Sequence, residues 1–242
     1  MNGLWEHIKK EALDIADPIL EGYVQKYINR SDSLSNLLVN ILASKLGNED
    51  FEKKELWPLL TGKLNEIYVE QDLIEYFNRD FACKSYMDTL LLNRGFQALC
   101  AYRISHELWK NKAYFSAKWI SNRVCEIYGI DIHPAAKIGH GLVLDHSGAV
   151  IGETCEIGDN VFLFHNVTLG SKGHFNGDRH PKIQSNVVVG AGATVLGNII
   201  IGKQAVIAAG SVVLENVSPN TMVAGIPAVP KGLAKKLQLK DN

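Results

Sequence analysis

Eight histidines are spread along the 242-residue chain, and imidazole is the side chain best suited to moving a proton near neutral pH. Most of the eight have weak claims to that chemistry. His7 and His106 fall in segments of helical pattern and read as surface or packing residues. His133, before Pro134, reads as a corner residue, His174 lies in a polar loop with no obvious partner, and His140 and His165 have only weak cases. His146 stands apart. It follows Leu144-Asp145, beside a one-residue irregularity in an otherwise regular repeat, and such a break is where a repeating scaffold can carry function. Asp131 precedes it by fifteen residues. If one turn of the repeat takes about eighteen residues, Asp131 could lie one coil away. It would then accept from one ring nitrogen and leave the other free to take a proton. On spacing alone, an aspartate near a histidine is more often an ordinary surface pair.

A base so placed suits acyl transfer to an alcohol, which needs a proton acceptor, an orienting partner and donors for an oxyanion. The second chemical candidate is the stretch Gly170-Ser171-Lys172-Gly173-His174-Phe175-Asn176-Gly177-Asp178-Arg179-His180-Pro181-Lys182. A long glycine-rich basic loop leaving a regular scaffold is usually functional; the plain alternative is a solvated insertion. Arg179 could fork onto a carboxylate, and Lys172 or Lys182 could meet phosphate as point charges.

The elements that must hold these residues follow from two periods. Up to about Tyr128, apolar residues recur at helical spacing, as in Leu34, Leu37, Leu38, Ile41, Leu42 and Leu46, with Ser31 or Asp32 as N-cap and Gly47 beyond the end. Further runs are Phe96 to Leu108, and Phe115 to Ile127 closed by Gly129. After Gly129 the period is six: Ile132, Ile138, Leu144, Ile151, Ile157, Leu163, Leu169, Ile183, Val189, Val195, Ile201, Ile207 and Val213. The steps Leu144 to Ile151 and Leu169 to Ile183 break it, and the second ejects the loop. Small residues follow most of these aliphatics, which predicts a bend at each corner and a triangular coil stabilised by stacking on its neighbours. The chain therefore reads as α+β by segregation: an all-helical domain over 1–129, a parallel β-helix of hexapeptide repeats with an extruded loop over 130–229, and a tail over 230–242.

Composition narrows the function classes. The formal net charge of −1 leaves no basic footprint for nucleic acid or an anionic membrane. The first twenty residues are charged and lack an apolar signal core, and no run is long enough to span a membrane, so a cytoplasmic protein is expected. The four cysteines, Cys83, Cys100, Cys125 and Cys155, show no Cys-x-x-Cys spacing and read as reduced, mostly packed thiols.

The strings Asp131-Ile-His-Pro-Ala-Ala-Lys-Ile-Gly, Leu144-Asp-His, Gly152-Glu-Thr, Val167-Thr-Leu-Gly, Gly177-Asp-Arg-His-Pro-Lys-Ile, Gly190-Ala-Gly-Ala and Ala224-Gly-Ile-Pro-Ala, with the helical Leu91-Leu-Asn-Arg-Gly-Phe-Gln-Ala-Leu, resemble bacterial serine acetyltransferases along essentially the whole chain. The resemblance implies a left-handed prism and transfer of acetyl from acetyl-CoA to the hydroxyl of L-serine. It implies His146 as general base with Asp131 orienting it. Asp80 and Asp145 would hold the substrate ammonium, Arg179 its carboxylate, and His180 would donate near the reacting oxygen. Gly170, Ala191 and Ala209 are candidates for backbone contact with the coenzyme, Lys203 and Lys231 for its phosphates. No metal is implied.

The same resemblance implies L-cysteine as feedback inhibitor, a homotrimer or dimer of trimers, and a site in the cleft between protomers. Two departures stand out. Ser171-Lys172 replaces the family's usual Gly-Thr. Members that dock into O-acetylserine sulfhydrylase do so through a C-terminal isoleucine, whereas this chain ends in Asn242, which counts against docking. Competing readings are transfer to homoserine or another amino-alcohol, a zinc-dependent trimer of carbonic anhydrase type using His140 and His146, and a non-catalytic scaffold.

Overall fold

The computed structural model describes residues 2–15, 18–173 and 176–235. Eight helices come first among the described residues: α1 (Asn2–Leu13), α2 (Glu21–Ile28), α3 (Leu34–Leu46), α4 (Lys53–Leu60), α5 (Glu66–Arg79), α6 (Tyr86–Leu92), α7 (Arg94–Lys110) and α8 (Tyr114–Tyr128). Polar caps set the starts of α3, α5, α6 and α7, where a Ser or Asn side-chain oxygen takes an orphan backbone N–H. The cap of α3 is Ser33, whose hydroxyl accepts from Asn36 N at 3.2 Å, and not Ser31 or Asp32. Gly47 ends that helix in extended backbone (φ −61°), whereas Gly129 ends α8 in the left-handed conformation (φ 65°).

Strands then recur in threes and build three faces. The first face holds β1 (Asp131–Ile132), β4 (Val150–Ile151), β7 (Thr168–Gly170), β10 (Thr194–Leu196) and β13 (Val212–Val213). The second holds β2 (Lys137–Ile138), β5 (Glu156–Ile157), β8 (Lys182–Ile183) and β11 (Ile200–Ile201). On the third lie β3 (Val143–Leu144), β6 (Phe162–Leu163), β9 (Val188–Val189), β12 (Val206–Ile207) and β14 (Thr221–Gly225), with β15 (Ala228–Leu233) antiparallel on β14. The first residues past 229 are thus paired strand. Registers tie the period-six aliphatics into columns, such as Ile132 to Ile151 to Leu169 to Val195 to Val213.

Twelve of the thirteen aliphatics are at most 4% exposed; Ile138, on the edge strand β2, is partly buried. A second inward column lies two residues before the first, in Ala136, Leu142, Ala149, Cys155, Val161, Val167, Val187, Ala193 and Ala205, because residues two apart on a strand share a face. The small residues after the aliphatics do not make the bend expected of them. A Cβ on Gly190 would stand 2.5 Å from Ala209 N of the next coil. These positions are small because the neighbouring coil approaches, and the chain turns slightly later, at left-handed residues such as His146, Asn160 and Asn186.

The helices grip the first coil through buried polar contacts. Arg103 forks onto Asp72 (2.8 and 2.9 Å) and also donates to Ile138 O and Gly139 O, while Gly141 N donates to Asp72 at 2.7 Å. The buried Tyr76 hydroxyl accepts from Leu144 N (2.7 Å) and donates to Leu144 O (3.2 Å). Close packing of Gly95 against Leu144 O brings the start of α7 to the same place, since a Cβ there would stand 2.0 Å from that oxygen. These contacts fix α5 and α7 at the end of β3, directly before Asp145.

Candidate active site

Two clusters form, on different edges of the prism. The edge after the third face carries Asp145, His146 and His165. His146 Nε2 stands 3.5 Å from Asp145 Oδ1, and His165 Nδ1 stands 3.5 Å from Asp145 Oδ2, with the two rings 6.0 Å apart. The His146 side chain is 75% exposed and its backbone is left-handed (φ 62°), so the ring stands out from the turn where a second reactant can reach it. Asp80 caps the end of α5, one turn beyond Tyr76, whose hydroxyl binds the Leu144 backbone directly before Asp145. Its Oδ1 accepts from Ala82 N at 2.9 Å, and its Oδ2 accepts from Asn93 Nδ2 and Cys83 Sγ, each at 3.2 Å.

Asp131 is exposed on β1 and makes no ion pair with His146; the carboxylate facing that ring is Asp145. Fifteen residues fall short of a full turn: the seven-residue step makes this coil nineteen residues long, Asp131 pairs with Val150, four residues past His146, and Leu144 pairs with Leu163. The same shift stacks His165 over His146, which the period-six alignment carries but which a search by histidine neighbours alone passes over.

The edge after the first face carries the other cluster. Arg179 Nη2 donates to Glu153 Oε2 at 2.6 Å and Nη1 to Gly177 O at 3.2 Å, and the guanidinium holds the Glu153 carboxyl below its usual range. His180 is buried, with its ring lying over Gly152. Thr154 fixes its tautomer. The threonine hydroxyl oxygen accepts from the backbone N–H of Arg179 (3.0 Å) and His180 (3.1 Å), so its own proton is free for His180 Nδ1 at 2.8 Å, and Thr154 N donates there too at 3.2 Å. An Nδ1 that accepts leaves the neutral ring's proton on Nε2, as a donor. Burial, followed by the neighbouring Arg179, lowers the His180 pKa and favours that neutral form. Glu153, Thr154 and Gly152 are roles that the sequence pattern left unassigned.

The remaining candidates divide by edge. Ala191 and Ala209 lie on the His146 edge, linked to it through Gly192 N to His165 O (2.9 Å) and Gly210 N to Ala191 O (2.8 Å). Gly170 ends β7 beside the loop. Lys203 lies on the edge after the second face, and Lys231 is exposed on β15; neither adjoins the His146 edge. Lys172 is folded back along the prism, its stem over Gly197 and its Nζ donating to Leu214 O, while Lys182 donates to Asp178 and Thr154 O. His174 lies outside the described residues. His140 and His146 stand on different edges, because a step of six moves a residue to the next edge, and His140 faces Asp159 at 3.6 Å. Among the described residues no group of three His, Cys, Asp or Glu side chains is placed to hold a metal.

Comparison with known proteins accords with this geometry. Residues 4–101 match the model for the N-terminal region of serine acetyltransferases, and residues 180–215 match the bacterial transferase hexapeptide model. A mitochondrial serine acetyltransferase of Arabidopsis thaliana is 46% identical over 94% of this chain, which spans 60% of that relative's length. A serine acetyltransferase of Buchnera aphidicola is 41% identical over 93% of this chain and 90% of its own. Similar solved structures include the Neisseria gonorrhoeae enzyme in complex with serine (TM-score 0.90, 42% identity, 94% of this chain and 97% of that one). Others are the Brucella abortus enzyme with coenzyme A (0.91, 38%, 96% of each) and a serine acetyltransferase with cysteine (0.91, 38%, 93% and 97%). With identity at this level across nearly the full length of a relative, and the repeat prism and helical cap both matched, the chain belongs to the serine acetyltransferase family.

Proposed function

We propose that the protein transfers acetyl from acetyl-CoA to the hydroxyl of L-serine, giving O-acetylserine and free coenzyme A. The observation that carries this reading is the opposite chemistry of the two edges. One offers carboxylates, Asp80 and Asp145, beside an exposed imidazole; the other offers a guanidinium and a ring N–H. Together they match the ammonium, carboxylate and reacting oxygen of a small amino acid, and binding both ends gives a selectivity that an alcohol group alone could not.

A whole face of the prism separates the two edges within one chain. The reading therefore places each site between two copies, the His146 edge of one against the Arg179 edge of the next, as a closed trimer would bring them, with two trimers joined through their helices. His146 takes the serine hydroxyl proton on the nitrogen turned away from Asp145, while the oxygen attacks the thioester carbon. The C–S bond breaks, and the proton returns to the departing thiolate. The His180 Nε2 proton serves the oxyanion.

Relatives solved with serine, cysteine and coenzyme A support the same ligands here, with cysteine competing for the serine subsite as an inhibitor. The reading places the enzyme in the cytoplasm. The segment that would decide docking to O-acetylserine sulfhydrylase lies outside the described residues. Free thiol release from acetyl-CoA tests the proposal across serine, homoserine and threonine: a strong preference for serine is expected, and equal or better turnover with homoserine would overturn it.

A further inference from the structure

Asp80 is not held by one neighbour. Its carboxylate accepts three hydrogen bonds: Ala82 N on Oδ1, and both Asn93 Nδ2 and Cys83 Sγ on Oδ2. A carboxylate offers about four lone-pair directions. With Oδ2 taken twice and Oδ1 once, a single direction on Oδ1 remains for an incoming cation. The two side-chain donors come from different places. Cys83 follows the end of α5, and Asn93 is the N-cap of α7, its Oδ1 accepting from Phe96 N at 2.9 Å. Asn93 Nδ2 also reaches Cys83 Sγ at 3.8 Å, closing a three-membered network. Burial raises the Cys83 thiol pKa, so the group remains an S–H donor.

We propose that Asn93 and Cys83 are positioning residues for substrate ammonium, saturating Oδ2 of Asp80 so that only Oδ1 faces the serine subsite. The inference rests on Asp80 receiving the ammonium, as read above. Asn93 does two jobs with two different atoms, so they can be separated. Asn93→Asp keeps the oxygen that caps α7 but sets a second carboxylate oxygen against Oδ2 of Asp80. Cys83→Ala removes one donor without adding charge, and Cys83→Ser restores an O–H in its place.

The experiment measures steady-state kinetics for both substrates, with thermal unfolding, on the intact oligomer. Asn93→Asp is expected to raise the serine KM about tenfold, in line with loss of a hydrogen bond to a charged group. The acetyl-CoA KM and the unfolding midpoint should stay close to wild type. Cys83→Ala should raise the serine KM less, and Cys83→Ser should bring it back. Asp80→Asn separates the two levels of the claim. If Asp80→Asn raises the serine KM but Asn93→Asp and Cys83→Ala leave it within twofold, the positioning role is overturned and the reading of Asp80 stands. An unchanged serine KM in Asp80→Asn overturns both. Should Asn93→Asp fail to fold, the Cys83 pair decides: absence of rescue by serine overturns the proposal.

Discussion

Replacing Gly152 by alanine tests the His180 geometry with one methyl group. Gly152 is outside the left-handed region, so alanine suits its backbone, but an added Cβ would lie 2.1 Å from His180 Cδ2 and 2.2 Å from Nε2. Non-bonded carbons settle at about 3.5–4.0 Å, so the ring has to retreat by about 1.5 Å. That distance breaks the hydrogen bonds from Thr154 N (3.2 Å) and Thr154 Oγ1 (2.8 Å) to Nδ1, which fix the tautomer. A misplacement of about 1 Å in a reacting constellation costs about 10²-fold, equivalent to about 2.7 kcal/mol of barrier. Overpacking adds about 1–3 kcal/mol of instability, which thermal unfolding reads separately. The assay is kcat/KM for thiol release, run beside Gly173→Ala. Gly173 is in the loop that carries His180, and a Cβ there meets nothing within 4 Å among the described residues, so that variant should behave as wild type. Gly152→Ala turning over at the wild-type kcat/KM would refute both the ring position and its role.

Three more predictions follow from named contacts. His146→Asn should lower kcat about 10²–10⁴-fold with an unchanged denaturation midpoint; asparagine tolerates the φ of 62°, whereas alanine there adds about 1–2 kcal/mol of backbone strain. Asp72→Ala strands the Arg103 guanidinium and Gly141 N–H in the interior, and should cost about 3–5 kcal/mol in urea denaturation. Burial lowers the pKa of both His133 and His180 from the ordinary value of 6.5, so the unfolded chain takes up protons first as pH falls. Stability is therefore fully present above that value and is lost as pH drops through the depressed folded values. Unfolding free energy measured from about pH 7.5 to about pH 5.5 should decline, and His180→Gln should flatten the decline.

Much of this was legible in one dimension. A solenoid's core is a local property: an aliphatic every six residues points inward whatever else the chain does, so the three faces, the extruded loop and the change from helices at Gly129 could all be read from spacing. Local chemistry also marked His146 and Arg179, and the family resemblance pointed to His180. What spacing could not give was the partner of each group. One extra residue between Leu144 and Ile151 set His165 above His146, and a turn longer than the fifteen residues from Asp131 to His146 left Asp131 opposite Val150. Close approach between coils, invisible in a string, made Gly152 a bed for an imidazole and Gly190 a gap for a neighbouring backbone. Contacts across 68 or more residues, Tyr76 to Leu144 and Arg79 to Asn160, brought the helices to the prism. The sequence by itself determined the repeat and which residue types could do chemistry, because period and composition are local. Only the tertiary structure decided which side chains meet, because one inserted residue or one missing Cβ changes every distance across an edge while leaving the pattern intact.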